Sequence, residues 1–110
     1  MQLTIIGARV LELVAGGRDR WQLAGDQLCV DIDMSDRNLP PWTMLSIGGT
    51  VIQITDQPHT GCGKFSSRYG ADALRWVNSP EGRALNLRGV NARVLEPGTI
   101  RPGDSVRKLT

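Results

Sequence analysis

The spacing of apolar and polar residues changes along the chain, and it predicts short strands interrupted by helices. The first apolar run, residues 3–14, fits a strand moderately, but a helix that starts near Gly7 would also bring its apolar residues together. Residues 8–15 contain good helix formers and are followed by Gly16 and Gly17. The pattern therefore favours a short strand followed by a helix that ends at the glycines.

Strict alternation of apolar and polar positions predicts the strands of the rest of the chain. Residues 27–33 alternate in this way, and residues 44–47 and 50–55 flank Gly48 and Gly49, which predicts a tight hairpin. Further strands are predicted at residues 90–95, with Val90, Ala92 and Val94 on one face, and at residues 105–109, with turns at 96–98 and 101–104. Many short strands separated by glycine and proline turns indicate a barrel or a sandwich.

One longer helix and one short helical turn are predicted between the strands. The helix begins at Ser66 or Ser67, either of which can cap it, and runs to about Asn78. Its buried side is expected to hold Tyr69, Ala73, Trp76 and Val77, and its exposed side Asp72 and Arg75. Ser79 is expected to cap the short turn, with Pro80 in the first helical position.

Composition and charge narrow the class of protein. The chain has 110 residues, 40% of them apolar, and a net charge of +2, which predicts one folded domain over residues 1–110. Charge this balanced, together with few aromatic residues, argues against a nucleic-acid-binding surface. No apolar run approaches the length of a membrane span, and the first residues lack the features of a secretory signal, so we expect a cytoplasmic protein that does not contact membrane.

The candidate chemistry lies in the loop before the longer helix. It holds the only histidine of the chain, His59, and one of its two cysteines, Cys62. Lys64 and Arg68 follow closely, and positive charge beside a thiol lowers its pKa and makes the thiolate available as a nucleophile or metal ligand. A loop cysteine without a chemical task is the alternative. Cys29 is expected to react slowly with thiol reagents, because it shares a strand face with carboxylates.

Three segments resemble one family. Residues 45–55 resemble its hairpin, residues 59–64 stand where it has its cysteine, and residues 88–104 resemble its closing segment. The family is the MOSC domain, which forms the C-terminal domain of molybdenum cofactor sulfurases and also occurs as a stand-alone protein. The resemblance extends over roughly residues 22–109.

The resemblance implies a mainly β fold, a bent β-barrel with peripheral helices, and a role in handling the molybdenum cofactor (molybdopterin) or sulfur destined for it. Relatives usually have further N-terminal strands, so this barrel is expected to be incomplete. Cys62 would bind sulfur as a persulfide or ligate the metal, and His59 would tune it by hydrogen bonding. The residues expected to bind the cofactor are Lys64, Arg68, Arg88 and Asn91.

The resemblance also bears on activity and partners. Some relatives with bound cofactor reduce N-hydroxylated compounds, whereas pyridoxal phosphate chemistry belongs to a separate domain of the sulfurases and has no site in this chain. The expected partner is a small pterin or a sulfur donor protein. The alternatives are a non-catalytic binding or assembly module and, for Arg88, a purely structural role at a strand end. An incomplete barrel leaves an open edge, so a homodimer is expected, with residues 3–14 in the contact or else folded back into their own barrel.

Overall fold

A six-stranded sheet holds together the part of the chain that the computed structural model describes, which is residues 2–15, 28–57, 59, 67 and 69–109. The elements are β1 (Gln2–Gly7), α1 (Ala8–Ala15), β2 (Leu28–Val30), β3 (Met44–Ile47), β4 (Thr50–Ile54), α2 (Ala71–Asn78), α3 (Pro80–Ala84), β5 (Val90–Glu96) and β6 (Val106–Leu109). The strand order is β2-β1-β5-β4-β3-β6, with β1 and β2 parallel and the other neighbours antiparallel. The mainly β half-barrel with a few helices confirms the expected fold class.

The inner face of this sheet forms the main hydrophobic core. It consists of buried side chains from β1, β2, β3, β4 and β5, together with Met34 and Leu39 from the loop after β2. Val90 and Ala92 point inward as the alternation of β5 predicts, while Val94 is half-buried at the margin of the core. Alternate residues of a strand point to opposite faces, so Asn91 must point to the outer face.

The N-terminal segment is the strand and helix that the sequence favours, and it is covered on both faces. Ile5 points into the main core, whereas its neighbour Ile6 joins a second small cluster with Val10 and Leu11 of α1. Both β1 faces are therefore apolar, which explains why residues 3–14 lack a clean alternation. In α1, where side chains are described for residues 8–13, Val10 and Leu11 are buried, whereas Leu13 is 73% exposed.

The remaining elements match the sequence pattern with local differences. The hairpin between β3 and β4 turns at Gly48 and Gly49, where Gly48 has φ of +55°. Ser79 caps α3, because its Oγ accepts a hydrogen bond from the backbone N–H of Gly82 at 3.0 Å. The strand predicted over residues 27–33 is ordered as a strand only at Leu28–Val30, and residue 27 lies outside the described residues.

The predicted burial of α2 was wrong at one position. Val77 is buried, but Trp76 beside it is 38% exposed, because adjacent residues of a helix point in directions roughly 100° apart. The predicted helix is divided at Gly70: Ser67 and Tyr69 before it are helical, and α2 follows from Ala71. Asp72 and Arg75 are exposed and form an ion pair with each other, as expected for the solvent side.

Candidate functional site

A cavity opens where β4 ends and β5 begins, at one end of the sheet. These strand ends are neighbours because the strands are antiparallel, with Ile54 opposite Ala92. The cavity, hereafter the β4–β5 cavity, has a volume of about 580 Å³. It is lined by residues 36, 39–41, 54–57, 59, 77, 82–83, 86 and 88–90. Its walls are thus the loop after β2, the chain leaving β4, and the α3 segment that leads into β5.

Arg88 lies in the lining of this cavity and is only 8% exposed. A guanidinium has several N–H donors in a fixed planar arrangement, so a buried arginine at a cavity wall is suited to recognising an anion. Arg83 also lines the cavity, but its side chain is exposed. Arg88 is therefore the positive charge that a bound anion would meet away from bulk solvent.

His59 reaches the same cavity and is half-buried there. Its ring lies against Gly89, since a Cβ atom at that glycine would be 3.3 Å from His59 Cδ2. The same Cβ would be 2.1 Å from the carbonyl oxygen of Ile5, and Gly89 has φ of +114°, which side chains disfavour. Only glycine at this position allows β1 and the imidazole to approach the start of β5 together.

Asn91 stands beside the cavity but is absent from its lining in the part of the chain that the structure describes. It is 9% exposed. Its Nδ2 donates a hydrogen bond to the carbonyl oxygen of Gln57 at 3.1 Å. The backbone carbonyl oxygen of Asn91 accepts hydrogen bonds from the backbone N–H of Thr55 at 2.9 Å and from Thr55 Oγ1 at 3.3 Å. Asn91 thus contacts the chain that leads to His59.

The opposite wall is held by a second asparagine, Asn86, which has φ of +51°. Its Nδ2 donates to the carbonyl oxygen of Met34 at 2.7 Å and to Asp36 Oδ1 at 3.0 Å. The backbone N–H of Asp36 donates in turn to the carbonyl oxygen of Ala84 at 3.0 Å. These bonds fix the loop after β2 against the end of α3.

The loop after β2 also has hydrogen bonds of its own. Asp33 Oδ1 accepts from the backbone N–H of Ser35 at 3.0 Å, and Asn38 Nδ2 donates to the carbonyl oxygen of Asp33 at 2.7 Å. The hydrogen bond from the Ser35 backbone, followed by that from its side chain, lowers the pKa of the Asp33 carboxyl below 3.8. This wall therefore has internal support in addition to Asn86.

The structure brings together part of the site expected from the sequence. His59 and Arg88 share the cavity, and Asn91 lies directly behind it. The predicted positions of Cys62, Lys64 and Arg68 lie outside the described residues. Sequence reasoning missed Asn86 and Gly89. A signal for both exists in the stretch Asn86-Leu87-Arg88-Gly89, since asparagine and glycine are the residues that most readily adopt positive φ.

Cys29 occupies a different region. It is exposed on β2 and lines a second cavity of about 740 Å³, which lies between β2 and the chain that leads into β6. Arg9 and Asp31 form an ion pair of 3.3 Å at that cavity. Within the described ranges, no cluster of three or more histidine, cysteine or acidic side chains could hold a metal ion. None of the described helices has the length and apolar character needed to cross a membrane.

Comparisons with known proteins give one family and a set of similar folds. A family model described as "MOSC domain" matches residues 14–107. No curated protein matches the sequence of the chain. Among solved structures, YiiM from Geobacillus stearothermophilus is similar with a TM-score of 0.72 at 15% identity, over 98% of this chain and 54% of that one. YiiM from Escherichia coli has a TM-score of 0.66 at 16% identity, with coverage of 98% and 54%. The chain thus spans about half the length of these solved structures.

Proposed function

The chain belongs to the MOSC domain family, and we propose that it handles the molybdenum cofactor, or sulfur destined for that cofactor, at the β4–β5 cavity. The family as a whole is linked to this cofactor. The observation that supports the proposal most directly is the meeting of a buried arginine, Arg88, and the only histidine of the chain, His59, in one cavity. The histidine is also only three residues from Cys62 in the sequence.

The residues present fit a phosphate-bearing pterin in charge and in space. A phosphate is recognised best by arginine, because the guanidinium donates two parallel hydrogen bonds to its oxygens. Arg88 would hold this group, with Lys64 and Arg68 adding positive charge. A volume of about 580 Å³ lies within the ordinary range of small-molecule sites. When bound, the cofactor would supply a redox-active molybdenum for the reduction of N-hydroxylated compounds or would receive sulfur.

Cys62 and His59 have separate roles in this proposal. Cys62 acts as the persulfide carrier or as the metal ligand, both of which require the thiolate rather than the thiol. His59 tunes that thiolate by hydrogen bonding. Lys64, Arg68 and Arg88 are the residues proposed to surround the cofactor, whereas Asn91, expected there from the sequence, is absent from the described lining of the cavity.

A second candidate function is a non-catalytic binding or assembly module of the same family. The two candidates differ in the reactivity of Cys62. An activated thiolate reacts faster with a thiol probe at neutral pH than an ordinary cysteine does, and a binding module has no need of this. The Cys29→Ser variant isolates the reaction of Cys62, and Cys62→Ser isolates that of Cys29.

We propose also that two copies of the chain associate. The described sheet has β2 and β6 as its edges, and strand edges with unpaired backbone groups favour pairing with another chain. Leu13 is the exposed apolar residue of the N-terminal segment that is available for such a contact. Light scattering at micromolar concentration tests the association: a mass of twice the chain supports it, and a monomer contradicts it.

The experiment for the main proposal is mass spectrometry of the purified protein under native conditions. We expect bound pterin or molybdenum, or an added sulfur atom on Cys62, and we expect Cys62→Ser to lose the added sulfur while circular dichroism shows an unchanged fold. If the wild-type protein from cells that make the cofactor has none of these adducts, the proposal is contradicted. If Cys62→Ser unfolds, the cysteine is structural.

A further inference from the structure

We infer that Asn91 is a positioning residue, which holds the chain between β4 and His59 against β5 and so places the imidazole in the β4–β5 cavity. The importance of His59 for chemistry rests on the proposed function, but the placement itself rests only on the contacts described above. Asn91 thus acts on the site through His59 rather than through a contact of its own with a bound molecule.

The first part of the argument is where the hydrogen bonds of Asn91 fall. Strand β4 ends at Ile54, yet the backbone N–H of the next residue, Thr55, still donates a hydrogen bond to the backbone carbonyl of Asn91 at 2.9 Å. The Asn91 side chain makes a second hydrogen bond two residues further along the same segment, where its Nδ2 donates to the backbone carbonyl of Gln57 at 3.1 Å. Gln57 is two residues before His59, and two residues span at most about 7 Å. An anchor at Gln57 therefore limits where the imidazole can lie.

The second part concerns the surface against which the imidazole is placed. The His59 ring lies close to Gly89, since a Cβ atom added to this glycine would be 3.3 Å from His59 Cδ2. Gly89 and Asn91 belong to one short segment at the start of β5. One segment therefore supplies both the surface for the ring and the anchor for the chain that leads to it.

The third part is the identity of residue 91. Asparagine is a poor strand former, yet it stands in β5 between the core residues Val90 and Ala92. The side-chain amide explains why asparagine stands at this position, since its –NH₂ group can donate a hydrogen bond to a carbonyl. Aspartate, which has the same shape, would place a carboxylate oxygen against the Gln57 carbonyl and repel it. Threonine, a better strand former, is too short to make this bond.

The experiment uses the single histidine of the chain as a reporter. Two-dimensional ¹H–¹³C NMR of the imidazole gives one set of ring signals, all from His59. We expect these signals to move or broaden in both Asn91→Ala and Asn91→Thr. The matched control is Asn86→Gly, which removes an amide bonded to the other wall of the same cavity and tolerates the positive φ of that position. We expect this control to leave the His59 signals at their wild-type positions.

Two outcomes would overturn the inference. One is folded Asn91 variants with His59 signals at the wild-type positions. The other is an equal displacement in Asn86→Gly, which would indicate general loosening of the cavity. If the Asn91 variants do not fold, the wild-type protein decides the matter: we expect a nuclear Overhauser effect between the His59 ring and the Gly89 Hα atoms, together with slow solvent exchange of the Asn91 side-chain amide. Absence of either contradicts the inference.

These measurements need no cofactor, so they separate this inference from the proposed function. A protein that binds no pterin and carries no persulfide can still show the dependence of His59 on Asn91. Conversely, a protein that binds the cofactor normally in the Asn91 variants, with undisturbed His59 signals, would retain the proposed function and lose the inference.

Discussion

The two walls of the β4–β5 cavity are held in different ways. The loop after β2 is fixed by Asn86 through two acceptors, Met34 and Asp36, and it has internal hydrogen bonds around Asp33 as well. The chain that leaves β4 is held at Gln57 by a hydrogen bond from the Asn91 side chain. The loop after β2 brings a carboxylate, Asp36, to the cavity, whereas the other wall leads to the imidazole of His59. The histidine thus lies on the wall that Asn91 helps to hold.

The largest effect on this arrangement is expected from Gly89→Ala, because it disturbs the surface on which the His59 wall rests. The added Cβ would lie 2.1 Å from the Ile5 carbonyl, at a residue with φ of +114°. The free energy of unfolding should fall by about 3–5 kcal/mol, the range of severe steric and backbone defects. The midpoint of urea unfolding measures it.

Gly103→Ala separates the two causes of that loss. Gly103 also has positive φ, at +92°, but a Cβ there would meet no atom within 4 Å. We expect a cost of about 1–2 kcal/mol, from the backbone alone. If the two variants lose the same free energy of unfolding, the close packing at the start of β5 does not contribute to stability.

The next largest effect is expected from the two asparagines. Asn91→Ala leaves the Gln57 carbonyl without its donor, which should lower the free energy of unfolding by about 1–3 kcal/mol. Asn86→Gly should cost about 1 kcal/mol, because the loop that it releases keeps its internal hydrogen bonds. Chemical denaturation of both single variants and of the double variant provides the values.

The double variant sharpens the comparison of the walls. If the walls are independent, its cost equals the sum of the single costs within about 0.5 kcal/mol. A larger discrepancy would show that the walls are coupled through the cavity, and the distinction drawn between them would then fail.

The smallest effect is expected from replacing Asp33, whose carboxylate accepts a hydrogen bond within the loop after β2. Its pKa is lowered below 3.8 in the folded protein, so the ionised carboxylate favours the folded state. That contribution is complete above about pH 5, where the carboxyl of the unfolded chain is also ionised, and is lost as the pH falls through the lowered pKa. Thermal midpoints of wild type and Asp33→Asn should therefore differ slightly at neutral pH and converge in acid. Curves that stay parallel down to pH 2 would contradict this role.

Local chemistry explains which elements could be predicted from the sequence. The hairpin at Gly48 and Gly49 and the cap at Ser79 depend on neighbouring residues only, and both are confirmed. The inward alternation of β5 at Val90 and Ala92 also depends on adjacent positions. The exposure of Trp76 was missed, because helical spacing does not decide which of two adjacent apolar residues is buried.

The site was harder to predict, because it depends on contacts between distant parts of the chain. The anchor made by Asn91 joins residues 34 positions apart, and that made by Asn86 joins residues 52 positions apart. No local pattern specifies such pairs. Residue type indicated His59 and the family resemblance indicated Arg88. The cavity that they share became evident only when the antiparallel pairing of β4 and β5 placed the strand ends together.

The central claim is that the buried Arg88 forms the anion-binding part of a molybdenum cofactor site. The most direct measurement compares the molybdenum and pterin content of wild type, Arg88→Met and Arg83→Met, each purified without oxygen from cells that make the cofactor. Methionine keeps much of the buried arginine's volume and removes its charge, and the exposed Arg83 on the same cavity is the matched control. We expect bound cofactor in wild type and Arg83→Met, and a loss of about tenfold or more in Arg88→Met, as for a charged hydrogen bond. Folded Arg88→Met with wild-type molybdenum content would contradict the claim.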